Sequence, residues 1–273
     1  MISQFIAYKK STIHYAVWGS GLKLLFCLHG YGEQAESFAA LEPYLGEVYT
    51  IVAIEMPFHG KTQWEEGLLF TPADLYTIMQ TIIAKTTGLV QGSPSFSLLG
   101  YSMGGRVALH LLQNYPAQME RIVLVAPDGL HKNIWYRLAT RTLIGNWLFR
   151  YVMYMPGNTS KFLKPFEKYK LVSPGLLRVA HYYTDDEKER ARLYCRWTTM
   201  RKFKPNLPRI KKTIRQHGIP VRFLFGRFDN IILSHRSNIL KQDTQNVQVH
   251  IIDAGHRLLQ EKYVQSICAL FYQ

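Results

Sequence analysis

Apolar residues fall into runs of two kinds along this chain. One kind is short, of strand length and bounded by turn residues: Leu22–Leu28, Val48–Ile54, Phe96–Leu99, Arg121–Ala126, Pro220–Gly226 and Val247–Ile252. The first of these is a continuous apolar run, which suits a strand buried on both faces of a parallel sheet. The other kind recurs at three- and four-residue spacing and predicts helices. These cover Gln34–Leu45, with Phe38, Leu41 and Leu45 on one face; Thr71–Lys85, with Pro72 in its first turn and Thr71 as its cap; the stretch from Val107 to near Asn114; and a last helix from about Leu258 to Phe271. Residues 3–18 alternate around Lys9-Lys10-Ser11 and read as a hairpin. Strand and helix alternate up to Pro127-Asp128-Gly129, stop, and resume at Pro220. That order predicts an α/β fold: a mostly parallel sheet with a helical segment inserted between two late strands.

Length changes this picture little, because 273 residues fit one large domain or a domain with an insertion. Charge changes it more. From Leu130 to Arg215 there are 20 Lys and Arg against 5 Asp and Glu, a balance of +15. The remainder, with 13 basic and 14 acidic residues, is nearly neutral. The basicity therefore belongs to one segment and not to the fold. The expected division is a core of residues 1–129 and 216–273 and a basic, aromatic helical lid of residues 130–215. No apolar run reaches the roughly 18 residues of a membrane span. The stretch Met1–Lys10 lacks the basic-then-apolar order of a secretory signal. Cys27, Cys195 and Cys268 are widely spaced and form no Cys-x-x-Cys pair. A reduced, cytoplasmic setting is expected.

The chemistry centres on Gly100-Tyr101-Ser102-Met103-Gly104, set between an apolar strand and a helix. Strand, tight turn and helix are the context that a nucleophile elbow requires. A sharp turn crowds its backbone, so the positions two before and two after the serine should lack side chains. A serine hydroxyl needs a base and a group to orient that base. In open α/β sheets these sit just after the strands' C-terminal ends. His256 follows the last strand and is the expected base. Asp229 follows the strand before it and is the favoured orienting acid, with Asp128 as a rival able to reach the same histidine. The oxyanion donors should be the N–H groups of Met103 and Tyr31. His29 and His59 read as residues that shape turns.

These pieces resemble the α/β-hydrolase superfamily, in its small lidded form. They are His29-Gly30-Tyr31-Gly32, the turn Met56–Thr62, the elbow, Gly226-Arg227-Phe228-Asp229 and Gly255-His256. The family's usual Asp-Leu-Pro-Gly-His-Gly-x-Ser is altered here at Glu55, Met56, Phe58 and Thr62, and Phe58 is placed to change the pocket wall. The resemblance implies a serine hydrolase that cleaves a carboxylic ester or thioester through an acyl-enzyme, with no metal or organic cofactor. Ser102 at the elbow argues against the dehalogenase branch, which uses aspartate there. The elbow with Arg106 also resembles the menaquinone-pathway cyclohexene-carboxylate synthase, whose arginine at this position holds a substrate carboxylate. That leaves a lyase as one alternative and a non-catalytic ligand receptor on the same fold as another. Arg106 is alternatively a helix arginine paired with an acid at the sheet edge. Tyr101, Arg106, Trp135 and Trp147 are the candidate substrate-binding residues. The basic segment admits three readings. It is a solvated surface, a steering surface for an anionic substrate or one carried on coenzyme A or acyl carrier protein, or a peripheral contact with an anionic membrane. No nucleic-acid module accompanies it.

Overall fold

The computed structural model describes residues 1–87, 95–131, 133–154, 186–242 and 244–273. Among these, eight strands form one sheet: β1 (Ile2–Tyr8), β2 (Ser11–Trp18), β3 (Lys23–Leu28), β4 (Tyr49–Ile54), β5 (Phe96–Tyr101), β6 (Met119–Val125), β7 (Val221–Gly226) and β8 (Val247–Ile252). Their order is β1-β2-β4-β3-β5-β6-β7-β8; β2 pairs antiparallel with both β1 and β4, and the other pairings are parallel. Every residue of β5 and β7 is buried, as a strand covered on both faces requires, whereas β8, at the edge of the sheet and carrying Gln248 and His250, is buried only at Val247. The hairpin turns at Lys9, whose φ is 53°.

Helices follow the strands: α1 (Glu42–Leu45), α2 (Pro72–Thr87), α3 (Met103–Asn114), α4 (Ile134–Arg141), α5 (Leu143–Tyr154), α6 (Glu187–Thr199), α7 (Leu207–His217), α8 (Asn238–Lys241) and α9 (Val264–Ala269). Two expected helices differ. Residues 35–41 wind as a tighter 3-10 helix, and Pro43 opens the separate turn α1. Proline has no N–H with which to continue a hydrogen-bonded ladder, so it suits a helix start. Toward the C-terminus, residues 253–260 form an irregular turn, a 3-10 helix covers Glu261–Tyr263, and α9 begins at Val264. That turn lies against the end of β7, where Phe228 N–H donates to Ala254 O (2.9 Å) and Leu258 N–H to His256 O (2.9 Å). Its backbone groups are committed to this turn, so the helix starts later.

The chain divides into two compact units. One holds residues 1–66, 71–131 and 203–273; the other holds 67–70 and 132–202. The inserted segment between β6 and β7 supplies most of the second unit, but its last helix, α7, belongs to the first. There Ile210 and Ile214 are buried, and Asn206 N–H donates to Gln113 Oε1 of α3 (2.7 Å). The masses of basic charge counted on 130–215 include residues 155–185, which lie outside the described residues.

Candidate active site

Ser102 sits between the last residue of β5 and the first of α3 with φ 49° and ψ −112°. This region is unfavourable for a residue with a side chain, costing about 1–3 kcal/mol, and persists only where neighbours hold it. Three hydrogen bonds do so. Ser102 N–H donates to Val125 O (3.0 Å), and Ser102 O accepts from Gly105 N–H (2.9 Å) and Asp128 N–H (2.8 Å). The glycines are required by space. A Cβ on Gly104 would lie 1.9 Å from the carbonyl oxygen of Leu28, and one on Gly100 would lie 2.8 Å from that of Gly104.

The Ser102 hydroxyl does not cap α3 and instead meets His256 Nε2 at 3.1 Å. On the other side of the ring, Nδ1–H donates to Asp229 Oδ2 at 2.8 Å. Asp229 is buried, and its second oxygen accepts from the N–H groups of Ile231 (2.8 Å) and Ile232 (2.9 Å). Burial by itself would raise the Asp229 carboxyl. The hydrogen bonds from His256 and the two amides outweigh it and hold the group below the ordinary carboxylate range. An ionised Asp229 fixes the proton on Nδ1 and leaves Nε2 free to accept the serine proton. Asp128, the rival acid, is turned elsewhere: its Oδ2 lies 3.2 Å from the Arg106 guanidinium.

The loop after β3 reaches the same place. Gly30 passes so close that a Cβ there would lie 3.4 Å from the Ser102 Cβ and 2.9 Å from the Tyr101 ring. Tyr31 follows it, and Met103 opens α3, where the first amides of a helix have no acceptor within the helix. The loop is anchored from below. Met56 N–H donates to His29 Nε2 (3.0 Å), which places the ring proton on Nδ1, where it donates to Gly30 O (2.8 Å). A buried carboxylate adds a second anchor. Glu55 accepts from Ala35 N–H (3.2 Å) and Lys61 N–H (2.5 Å) and pairs with His14 at 2.8 Å. Reading the sequence alone missed this role for Glu55. The signal was an acid directly after the apolar run Ile51–Ile54, where it cannot reach solvent and must find donors.

Two candidate substrate residues are otherwise engaged. The Tyr101 hydroxyl donates to His256 O (3.2 Å), and its ring stacks on the imidazole at 5.8 Å. Burial, with the charges of Glu33 and Asp229, pushes the phenol well above its ordinary value, so it remains a neutral donor. Tyr101 thus braces His256 through both its hydroxyl and its ring. Arg106 is buried and paired with Asp128, as the structural alternative for it requires. Trp135 and Trp147 lie on α4 and α5 of the helical unit, half or more exposed. Among the described residues, no three His, Cys, Asp or Glu side chains group as metal ligands would.

A serine on a strained turn, a histidine bound to it and a buried acid behind the histidine are the arrangement of nucleophile-elbow proteins. The family described as alpha/beta hydrolase fold matches residues 23–263. The chain belongs to the alpha/beta hydrolase fold family. Among relatives, a "Serine hydrolase-like protein" of Danio rerio is 32% identical over 119 residues, 41% of this chain and 34% of that protein. A pimeloyl-[acyl-carrier protein] methyl ester esterase of Neisseria meningitidis is 27% identical over 105 residues, 38% of this chain and 37% of that one. The matched stretch thus spans only about a third of these relatives' lengths. A thermophilic esterase of Thermogutta terrifontis superposes with a TM-score of 0.69 at 17% identity, covering 100% of this chain and 98% of that one. At that identity the superposition shows the hydrolase fold alone.

Proposed function

We propose that this alpha/beta hydrolase fold protein cleaves a carboxylic ester or thioester through an acyl-enzyme on Ser102. The observation that carries the reading is the continuous line Ser102 Oγ, His256 Nε2, His256 Nδ1 and Asp229 Oδ2, at 3.1 and 2.8 Å. As Oγ bonds to the substrate's carbonyl carbon, its proton passes to Nε2. Asp229 stabilises the imidazolium so formed. The carbonyl oxygen becomes an oxyanion, held by the N–H groups of Met103 and Tyr31. Losing one such donor typically costs about 10²–10³ in rate. The bond to the alcohol or thiol then breaks, and the leaving group takes the proton from Nε2. Water enters, gives a proton to Nε2 and attacks the acyl carbon. Collapse of that second intermediate frees the acid and returns the proton to Ser102.

The relatives, which include a serine hydrolase-like protein and a pimeloyl-[acyl-carrier protein] methyl ester esterase, support this reading. The pairing of Arg106 with Asp128 favours hydrolysis over a lyase reaction that would need Arg106 for a substrate carboxylate. The test is a panel of activated esters and acyl thioesters of increasing chain length, run on the wild type and on Ser102→Ala. Turnover of some member of the panel, lost in the variant, is expected. An inert panel, or turnover that survives the substitution, would overturn the reading.

A further inference from the structure

Among its described residues, the helical unit exposes a second apolar face beside the one that packs inward. Helices α4 and α5 turn one side inward against α6. The Tyr136 ring packs on Trp197 at 5.5 Å and its hydroxyl donates to Trp197 O (3.1 Å). Phe149 packs on Tyr194 at 5.4 Å and on Trp197 at 5.8 Å, and Met153 is buried. A surface helix packed in this way should be polar on its other side. Here it is not. Leu143 is 92% exposed, Ile144 81%, Trp147 65% and Trp135 52%, with Ile134 and Leu138 exposed beside them.

The exposed side chains have a pattern. Ile144, Trp147 and Tyr151 follow one stripe of α5, and the Trp147 and Tyr151 rings stack at 5.7 Å. Leu143 and Ile144, the two most exposed, stand at the bend between the helices, which is fixed by Thr142: its hydroxyl donates to Leu138 O (2.8 Å) and accepts from Gly145 N–H (3.0 Å). The charges around this face are of one sign. Residues 133–154 contain no Asp or Glu; Arg137 and Arg150 are exposed, while Arg141 is half-buried over the Tyr136 ring at 5.7 Å.

We propose that the bend and outer face of α4 and α5 dock on an anionic lipid bilayer. Leu143 and Ile144 enter the acyl boundary, Trp147 and Tyr151 lie at the level of the headgroups, and Arg137 and Arg150 meet lipid phosphates. Aliphatic tip, aromatic belt and basic flank are the composition that suits a bilayer interface. No described helix is long and apolar enough to cross a membrane, so the contact lies on the surface. A second copy of the chain fits the face poorly, because a two-fold contact would bring the arginines against one another. This inference is independent of the hydrolytic reading, since binding is measured without turnover.

The test is flotation with vesicles of phosphatidylcholine alone and of phosphatidylcholine mixed with phosphatidylserine. Wild type should float with the mixed vesicles, less so as salt rises and little with the neutral ones. Replacing Leu143→Glu and Ile144→Glu together should weaken the binding by about tenfold or more while circular dichroism is unchanged. Failure of the wild type to float with mixed vesicles would overturn the proposal. So would equal flotation of the double variant. Light scattering that shows a dimer dissolved by the double variant, without vesicle binding, would assign the face to a second copy. Salt-dependent capture by an acidic carrier protein, without vesicle binding, would assign it to that partner.

Discussion

At the scale of single residues, the two acids near the elbow make separable predictions. Asp229→Asn removes the charge that orients His256. It should lower kcat by about 10³–10⁴ with little loss of stability. Asp128→Asn instead leaves the buried Arg106 without its carboxylate. It should cost about 1–3 kcal/mol of stability while kcat changes by less than about tenfold. Steady-state kinetics and thermal unfolding on both variants check this, and a reversed pattern would make Asp128 the orienting acid. Tyr101→Phe keeps the stacked ring but loses the bond to His256 O. A fall in kcat of about two- to tenfold is expected, with KM nearly unchanged. If KM changes instead, Tyr101 touches substrate. Serine, acid and histidine could be located in the sequence because strand ends and chain order define their places. The engagements of Tyr101 and Arg106 could not, because each depends on a neighbour distant in the chain, His256 and Asp128, and one sequence does not say which polar partner a side chain will meet.

At the scale of elements, space decides more than propensity does. Gly104→Ala should prevent folding or leave the protein insoluble, since the new methyl would sit 1.9 Å from a backbone oxygen of β3. Gly255→Ala, one residue before His256, has nothing within 4 Å of the new atom and should fold normally. Soluble yield and circular dichroism of the two variants test the contrast. Both strands and the elbow were legible because a two-sided buried strand and a crowded turn leave direct marks in composition. The expected helices over 34–45 and 258–271 were less so. Apolar spacing does not distinguish an α-helix from a 3-10 helix broken at Pro43. Nor does it show that the turn around His256 lies against β7.

At the scale of the whole molecule, charge and division of the chain need not coincide. The basic segment ends near Arg215, yet α7 groups with the sheet, held by Ile210, Ile214 and the bond to Gln113. Residues 67–70, far away in sequence, group with the helical unit, where Phe70 N–H donates to Thr199 O (3.2 Å). Charge marks a surface and buried contacts mark a unit, so the sequence showed the first and not the second. One ionic knot should govern acid stability. Asp74 receives hydrogen bonds from Lys9, Tyr8 and Thr71. Partial burial opposes its ionisation, but these bonds outweigh it and lower the carboxyl from 3.8 to about 2. A lowered carboxyl stabilises the fold above its unfolded value, and the benefit fades as pH falls from 3.8 through about 2. Solvent screens the site, so Asp74→Asn should lower Tm at pH 7 by about 2–4 °C, with the gap closing near pH 2.

The central claim is that Ser102 is a nucleophile activated by His256. Reaction with a fluorophosphonate, followed by mass spectrometry of the digested protein, tests it most directly. One adduct on the peptide that carries Ser102 is predicted, forming at least about 10²-fold more slowly in His256→Gln. No adduct at Ser102, or labelling of Ser102 at the same rate without His256, would contradict it.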